Sequence, residues 1–145
     1  SHRVIRDREF LIITVFDTRQ TDLVTIDKIP TTFMVDGRQY KFQYKSFEGS
    51  VPADENIAYI NTAKLEQPLI LRRWRQGDYL YPLGMGMKKK KVSRYLIDKK
   101  VPVHEKEHIW VLESNRRIVW VAGHRLDERF KVTPLTTEVL IVKRS

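Results

Sequence analysis

Residues 31–47 of the chain read TTFMVDGRQYKFQYKSF, a pattern that predicts a β-hairpin. Asp36-Gly37 separates two β-rich arms, and glycine readily adopts the positive φ that a tight hairpin turn requires. In the second arm, Tyr40, Phe42 and Tyr44 alternate with polar residues, as expected for a strand with one buried face. The hairpin therefore favours a fold built largely on antiparallel strands.

Other segments extend this β-rich pattern along the chain. Apolar, β-branched residues predict strands over residues 9–16, 56–61 and 69–74, a second hairpin over 109–122 that turns at Ser114-Asn115, and a last strand over 138–143. A short helix is predicted from a Ser93 cap to Lys99, and Pro102 ends that element because its ring blocks a continuing helix. Since strands outnumber short helices, we expect an α+β fold with a mixed or antiparallel sheet.

The composition indicates a folded, soluble protein. The chain has 145 residues, of which 41% are hydrophobic, which is enough to build a core. It contains no cysteine, which excludes disulfide scaffolds, thiol nucleophiles and cysteine-rich zinc sites. No apolar run in the sequence approaches the roughly 18 residues of a membrane span, and no signal-peptide pattern opens the chain. We therefore expect a cytoplasmic protein with no membrane partner.

The positive charge is concentrated in one segment. Residues 72–100 hold ten Lys/Arg and two Asp/Glu, a net of +8, whereas the whole chain carries +9. Such a patch is expected of a surface that neutralises phosphates. A solvated charged face is the simpler alternative, and an anionic membrane is disfavoured because no wide apolar helix face accompanies the lysines. The charge pattern therefore favours a nucleic-acid partner.

Residues 104–108, HEKEH, match the H-E-x-x-H pattern of zinc hydrolases. On a helix, His104 and His108 would share one face and hold zinc, with Glu105 as the general base. The surroundings argue against this interpretation, because the segment begins just after Pro102 and is charged rather than apolar. A zinc-dependent hydrolase is thus an alternative only, and we expect neither a catalytic nor a metal site.

Motifs for nucleotide chemistry are missing from the sequence. There is no G-x-x-x-x-G-K-[ST] loop and no Ser-Gly-Gly-x-Asp-Ser loop for ATP. Gly84-Met85-Gly86 is a bare G-x-G, and Asp127-Glu128 is a carboxylate pair with no assignable partner. By itself, the chain offers no recognisable catalytic constellation.

Two groups of cations make up the basic segment. Arg72, Arg73 and Arg75 lie at the end of a predicted strand and in the following turn, whereas residues 88–91 are four lysines after a glycine loop. Because side chains alternate along a strand, Arg73 and Arg75 can share an exposed face while Arg72 points elsewhere. Three aromatic residues are interleaved with these cations: Trp74, Tyr79 and Tyr81. We favour packing in the core over stacking on unpaired bases for these rings.

The motifs of this segment resemble those of a known family. Residues 71–78 read LRRWRQGD and residues 82–85 read PLGM, which together resemble the "LRxxRxGDxxxPLGM" signature of the C-terminal domain of tRNA(Ile)-lysidine synthetase. The resemblance continues through the lysine run and residues 92–102. It closes with residues 119–130, VWVAGHRLDERF, which are similar to that domain's "WVxGxRxDxRF" ending. The resemblance covers roughly half of the chain.

This resemblance implies a fold, an activity and partners. The implied fold has mixed or antiparallel sheets in a sandwich with a few short helices, similar to a domain of the phenylalanyl-tRNA synthetase β chain. The full enzyme uses ATP, with Mg, to adenylate C2 of the wobble cytidine in a minor isoleucine tRNA, and lysine then displaces AMP. That chemistry belongs to the N-terminal catalytic domain. The chain is therefore implied to be an inactive C-terminal fragment, with no cofactor of its own, that contacts this catalytic domain.

The part implied for this chain is tRNA binding, with anchoring at the acceptor stem. The positions carried over as RNA contacts are Arg72, Arg73, Arg75, Lys88, Lys89, Lys90, Lys91, Arg94, Lys99, Lys100, Arg125 and Arg129. Residues 67–145 are expected to form the tRNA-binding domain, and residues 1–66 a strand-rich preceding region packed on it. A basic protein-interaction domain is the second alternative, after the zinc hydrolase.

Overall fold

The computed structural model describes residues 2–4, 13–15 and 23–145 of the chain. Its strands are β1 (His2–Val4), β2 (Ile13–Val15), β3 (Leu23–Ile26), β4 (Thr31–Val35), β5 (Arg38–Ser46), β6 (Ile57–Asn61), β7 (Leu69–Arg73), β8 (Tyr79–Leu80), β9 (Lys90–Lys91), β10 (Trp110–Ser114), β11 (Arg117–Val121), β12 (Arg125–Leu126) and β13 (Glu138–Arg144). Its helices are α1 (Val92–Asp98), α2 (Val103–Lys106) and the 3-10 turns Thr62–Lys64 and Glu128–Phe130. Within these ranges, no helix reaches the length and apolarity needed to cross a membrane.

Two antiparallel sheets form the body of the described structure. One has five strands in the order β12-β11-β10-β7-β3, and the other has four in the order β4-β5-β13-β6. The hairpin predicted around Asp36-Gly37 is present, with Val35 opposite Arg38 at its turn. The strand pairs among the described residues are antiparallel. The α+β class with antiparallel sheets is therefore confirmed.

The main hydrophobic core lies between these two sheets. Phe42 and Leu140 of the four-stranded sheet are buried there together with Leu71 and Leu112 of the five-stranded sheet. Each such side chain contributes about 1.5–3 kcal/mol on burial, so this layer supplies most of the driving force for folding. The sandwich arrangement is confirmed, whereas the similarity to phenylalanyl-tRNA synthetase stays a prediction.

A second, smaller core lies on the opposite face of the five-stranded sheet. Val111 and Val121 of that sheet pack there against Leu80 of β8 and Leu96 of α1. The hairpin β8–β9, whose strands have two residues each, and the helix α1 thus form a third layer on the sheet. This layer contains the four-lysine run, so the small core fixes the basic segment to the body of the protein.

Strands from both sides of residue 67 share each large sheet. β3 pairs with β7 in the five-stranded sheet, and β13 pairs with both β5 and β6 in the four-stranded sheet. The main core likewise combines Val24 and Ile60 with Leu71 and Leu140. The proposed division between residues 1–66 and 67–145 stays a prediction, although the described strands on its two sides build common sheets.

The helix predicted after the lysine run is present, but the prediction of its cap is wrong. Helix α1 begins at Val92, and its N-cap residue is Lys91, which makes no side-chain cap hydrogen bond. Ser93 instead lies inside the first turn, because the strand pairing of β9 continues directly into the helix. For the strand predicted over residues 9–16, residues 13–15 form β2 and the others lie outside the described residues.

Candidate nucleic-acid interface

The lysine run is presented by the hairpin β8–β9. Tyr79 pairs with Lys91 and Leu80 pairs with Lys90 across this hairpin. The N–H of Val92 donates to the carbonyl of Asp78 at 2.9 Å, which ties the start of α1 to the turn before β8. Because Leu80 and Val92 are fully buried, the lysines between and beside them are held at fixed places on the surface.

A glycine loop leads into the lysines. Gly84 and Gly86 have φ values of 84° and 64°, and Met87 has a φ of 61°. The Met85 N–H donates to the Pro82 carbonyl at 3.2 Å, and the Lys88 N–H donates to the Met85 carbonyl at 3.4 Å. These successive tight turns bring the chain to Lys88 without a helix, and glycine is the residue that adopts positive φ at no steric cost.

Six of the twelve predicted RNA contacts are exposed cations without a carboxylate partner among the described residues. The set comprises Arg75, Lys88, Lys89, Lys91, Lys99 and Lys100. None of these six side chains forms an ion pair with a carboxylate in the part of the chain that the structure describes. Lys89 lies over the ring of Tyr79, with its Nζ 4.1 Å from the ring centroid. These cations are therefore available to a diffusing anion.

Lys90 and Arg94 share one carboxylate at the end of α1. The Nζ of Lys90 lies 2.5 Å from Asp98 Oδ2, and the Nε of Arg94 lies 3.5 Å from Asp98 Oδ1. The hydrogen bond from Lys90 lowers the pKa of Asp98 below its ordinary value, with a smaller contribution from the charge of Arg94. The Arg94 side chain remains 69% exposed, so it can still reach an anion beyond the helix.

Arg72 is buried and ion-paired beneath the hairpin. Its Nη1 and Nη2 each donate to one oxygen of Asp78 at 2.9 Å, and its Nε donates to Glu113 at 2.7 Å. Burial alone would lower the pKa of Arg72, but the hydrogen bonds to Asp78 and Glu113 raise it above its ordinary value. With 5% of its surface exposed, Arg72 holds the hairpin to the sheet. We leave it out of the RNA surface proposed below.

Arg73 faces the opposite side of the sheet from Arg72, as strand alternation predicts. It donates from Nη1 and Nη2 to the two oxygens of Asp36 at 2.7 and 2.9 Å. Its guanidinium carbon also lies 5.0 Å from the ring centroid of Trp110. Arg73 therefore links the hairpin turn of the four-stranded sheet to the end of strand β7 in the five-stranded sheet, and the RNA surface proposed below omits it as well.

Arg125 and Arg129 hold the glycine loop in place. Arg125 Nη1 donates to the Leu83 carbonyl at 2.9 Å. Arg129 donates from Nε and Nη2 to the fully buried Asp127, both at 3.0 Å. Asp127 Oδ2 also accepts from the backbone N–H of Tyr81 at 2.9 Å. The buried carboxylate of Asp127 therefore connects Tyr81, just before the glycine loop, to Arg129 in the last motif of the resemblance.

The carboxylates of the motifs are the anchors that sequence reasoning missed. Asp127 and Glu128 have partners after all, because Glu128 Oε1 accepts from the Gly84 N–H at 2.9 Å and its other oxygen contacts Lys131. One signal was present in the sequence: Asp127 precedes a helical turn and accepts from the Arg129 N–H at 2.7 Å, as N-cap residues do. Arg72 and Glu113 lie 41 residues apart, and Tyr81 and Asp127 lie 46 residues apart, so no local sequence pattern indicates these two pairings.

The three interleaved aromatic residues are partly exposed rather than fully buried. Trp74 packs against the smaller core and donates from Nε1 to the Lys106 carbonyl at 2.7 Å. Tyr79 is 36% exposed beneath Lys89, and Tyr81 lies 4.6 Å from the guanidinium carbon of Arg129. Trp74 therefore packs in the core as expected, whereas the ring of Tyr79 lies at the surface beside the exposed lysines.

The H-E-x-x-H residues do not come together as a metal site. Helix α2 spans Val103–Lys106 and therefore ends before His108. His104 is 81% exposed, while His108 Nδ1 lies 3.4 Å from Asp36 Oδ2. Among the residues that the structure describes, no group of three His, Cys, Asp or Glu side chains could hold a metal ion. The geometry thus gives the zinc-hydrolase alternative no support.

Comparisons with known proteins agree with the motifs. The family model described as the TilS substrate C-terminal domain matches residues 69–142. The tRNA(Ile)-lysidine synthase of Parabacteroides distasonis is 37% identical over 144 residues, which cover 98% of this chain and 32% of that protein. The protein of the same name from Bacteroides thetaiotaomicron is 33% identical over 141 residues, 97% of this chain and 30% of that protein. The chain thus spans about a third of the length of these relatives.

A solved structure supports the fold. The structure titled "Crystal structure of TILS C-terminal domain" superposes with a TM-score of 0.70, and the match covers 80% of this chain and 90% of that one. At 20% sequence identity, this likeness bears on the fold alone. The family is shown by the match over residues 69–142, which is half of the chain: the chain belongs to the TilS substrate C-terminal domain family.

Proposed function

We propose that this chain is a tRNA-binding module, and that its exposed lysines contact the phosphate backbone. The observation that supports this is that the predicted RNA contacts include two distinct classes of cation. The arginines Arg72, Arg73, Arg125 and Arg129 are engaged with carboxylates or carbonyls of the protein, whereas Lys88, Lys89, Lys91, Lys99 and Lys100 point into solvent. A fold that engages these four arginines internally and leaves these five lysines exposed presents a surface to an external polyanion.

The chemistry of this surface favours phosphates over base edges. Lysine is a compact point charge on a flexible stem, suited to tracking a backbone, whereas bidentate recognition of base edges relies on arginine, asparagine or glutamine. Double-stranded RNA is recognised mainly by shape and by its phosphates and 2′-hydroxyls. The exposed cations thus fit a helical stem of a tRNA, and we propose the acceptor stem as the segment that they anchor.

We further propose that the chain serves a tRNA(Ile)-lysidine synthase. In that enzyme, lysine is attached to C2 of the wobble cytidine of a minor isoleucine tRNA, with ATP and Mg consumed in a separate N-terminal catalytic domain in the cytoplasm. The proposed role of this chain is to hold the tRNA while that domain acts, so the chain alone should show no ligase activity. The ATP loop motifs missing from its sequence are consistent with this division of labour.

The test is a fluorescence titration of the chain with the minor isoleucine tRNA, an unrelated elongator tRNA and an acceptor-stem minihelix, each at two salt concentrations. We expect binding to all three that weakens steeply with salt, because each neutralised phosphate releases a counterion. Tighter binding of the isoleucine tRNA would make the module part of substrate selection. Loss of binding to the minihelix with retained tRNA binding would overturn the acceptor-stem assignment.

A polyanion control separates RNA recognition from general attraction. Heparin at equal total charge should compete less well than tRNA if the surface fits an RNA helix. Equal competition would instead favour a basic protein-interaction surface that meets acidic partners of any shape. No binding of tRNA at near-physiological salt would overturn the proposal.

A further inference from the structure

A small cleft lies at the edge of the basic surface, between the turn that precedes β8 and the turn of the hairpin β10–β11. Its volume is about 130 Å³, and Gly77, Tyr79, Arg116, Arg117 and Arg129 are among the residues that line it. Tyr79 belongs to both features, because its ring carries Lys89 at 4.1 Å. The cleft therefore continues the surface that presents the exposed lysines.

The cleft is lined by four arginines and one aspartate, so it carries an excess of positive charge. Arg72 and Asp78 also line it, but both oxygens of Asp78 already accept from Arg72, and one also accepts from the Arg75 N–H. Arg129 is paired with the buried Asp127. Arg117 meets Glu66 at 3.2 Å in a pair whose two side chains are 39% and 58% exposed, and solvent weakens such a pair.

Arg116 is the cation of this cleft whose charge is uncompensated. It is exposed and forms no ion pair within the described part of the chain. Its φ of 71° and that of Asn115, 45°, place both residues of this hairpin turn in the left-handed region. Asn-Gly is the preferred pair for such a turn, so arginine at the second position adopts a conformation that costs stability. Strain of this kind persists at functional positions.

We propose that this cleft binds one phosphodiester of the RNA backbone through Arg116, with Arg117 beside it. The proposal rests on the proposed tRNA binding and extends the contact surface to a hairpin that the basic segment 72–100 does not include. The guanidinium is a planar fork of donors that matches phosphate oxygens. The lysines then track the backbone on one side of Tyr79, and Arg116 fixes its register on the other.

The test uses Arg116→Gly in this chain, because glycine fits the left-handed φ and should preserve or raise the thermal midpoint. We expect the affinity for a tRNA transcript to fall about fivefold at low salt, and the slope of log affinity against log salt to decrease by about one. Asn115→Gly is the control, since it also relaxes the turn and removes one exposed hydrogen bond to Glu66 but no charge. Its affinity and salt slope should equal those of the unmodified chain.

The triple variant Lys88→Ala, Lys89→Ala, Lys91→Ala is measured in the same assay and reports on the proposed function itself. If the triple variant binds weakly while Arg116→Gly binds normally, the cleft proposal is overturned and the lysine surface stands. If Arg116→Gly and Asn115→Gly weaken binding equally, turn geometry rather than charge is responsible, and the cleft proposal is again overturned. Normal affinity in all variants would overturn both proposals.

Discussion

Arg72 and Asp78 form a two-pronged ion pair under the lysine-bearing hairpin, with both N–O distances at 2.9 Å. The pair is almost out of solvent, since the two side chains are 6% and 13% exposed. Asp78 also accepts from the backbone N–H of Arg75 at 2.7 Å, and its carbonyl accepts from Val92. The "R…GD" part of the signature therefore acts as a clamp that fixes the start and the end of the lysine-bearing segment.

Removing one partner of this clamp should be costly. We expect Arg72→Met to lower the free energy of unfolding by about 3 kcal/mol or more, because the buried Glu113 and the largely buried Asp78 are left without their cation. Urea denaturation followed by tryptophan fluorescence measures this loss. Arg75→Ala, at an exposed position next to the clamp, should change stability by no more than about 0.5 kcal/mol. If Arg72→Met lowered the free energy of unfolding as little as Arg75→Ala is expected to, the clamp would not contribute to stability.

The buried carboxylate of Asp127 should control the order of the glycine loop. Asp127→Asn replaces one acceptor oxygen with a donor group, so the Tyr81 N–H or the Arg129 guanidinium loses its partner, at a cost of about 1–3 kcal/mol. We expect faster amide hydrogen exchange at Tyr81 and Gly84 in this variant. Glu128→Gln keeps an amide oxygen for the Gly84 N–H and should accelerate exchange less. Unchanged exchange in Asp127→Asn would contradict the anchoring role.

Stability should decrease in acid partly through Asp36. Burial by itself would raise the pKa of this carboxyl, but hydrogen bonds from Arg73 and Trp110 outweigh burial and lower the pKa below 3.8. Because the folded value lies below the unfolded one, the stabilisation is complete above about pH 4 and disappears as the pH falls through the folded value. Asp36→Asn should therefore cost about 1–2 kcal/mol near neutral pH.

This difference between Asp36→Asn and the unmodified chain should shrink as the pH falls below 4. Urea titrations at several pH values measure it, and asparagine tolerates the left-handed φ of 48° at this turn position, so backbone strain does not confound the comparison. A difference that stayed constant down to pH 2 would mean that Asp36 contributes through shape and not through its charge.

The exposed lysines should carry the salt dependence of RNA binding. Replacing Lys88, Lys89 and Lys91 by alanine is expected to reduce the salt slope by up to about three, roughly one per phosphate contact. A control variant with alanine at Lys45, Lys64 and Lys143 loses the same charge at exposed positions outside the hairpin and α1. If both triple variants lost the same affinity, net charge alone would explain binding, and no local surface would be needed.

One hairpin and one short helix could be predicted because their sequence signals lie within a few residues of each element. The hairpin at Asp36-Gly37 and the short helix after the lysines follow from turn chemistry, alternation and the position of Pro102. Alternation also separated Arg72 from Arg73 correctly. The cap of α1 was missed because Ser93 resembles a capping residue in the sequence, whereas pairing of β9 makes Lys91 the N-cap, two residues earlier, so the helix begins at Val92.

The division of the cations into engaged and exposed could not be predicted, because it depends on distant residues. Arg72 is paired with Glu113, and Arg73 with Asp36, which lie 41 and 37 residues away in the chain. In the sequence, Arg72 and the four lysines 88–91 are simply cations of one segment, and nothing near them in the chain distinguishes a buried cation from an exposed one. Sequence reasoning therefore locates the positive charge in one segment, and the sheet pairing decides which of its cations face solvent.

The position of β13 between β5 and β6 has a consequence for how the protein is made. β13 comes last in the sequence but inserts between two much earlier strands. At its end, Ser145 Oγ accepts from the Gln39 N–H, 106 residues earlier in the chain. Until residues 138–144 are synthesised, β5 and β6 both expose the backbone edges that β13 later covers. Unpaired edges of this kind recruit other chains, and long-range pairing is slow. The interval before this strand arrives is thus when nascent chains are most prone to aggregate, and a chaperone that shields strand edges would act then.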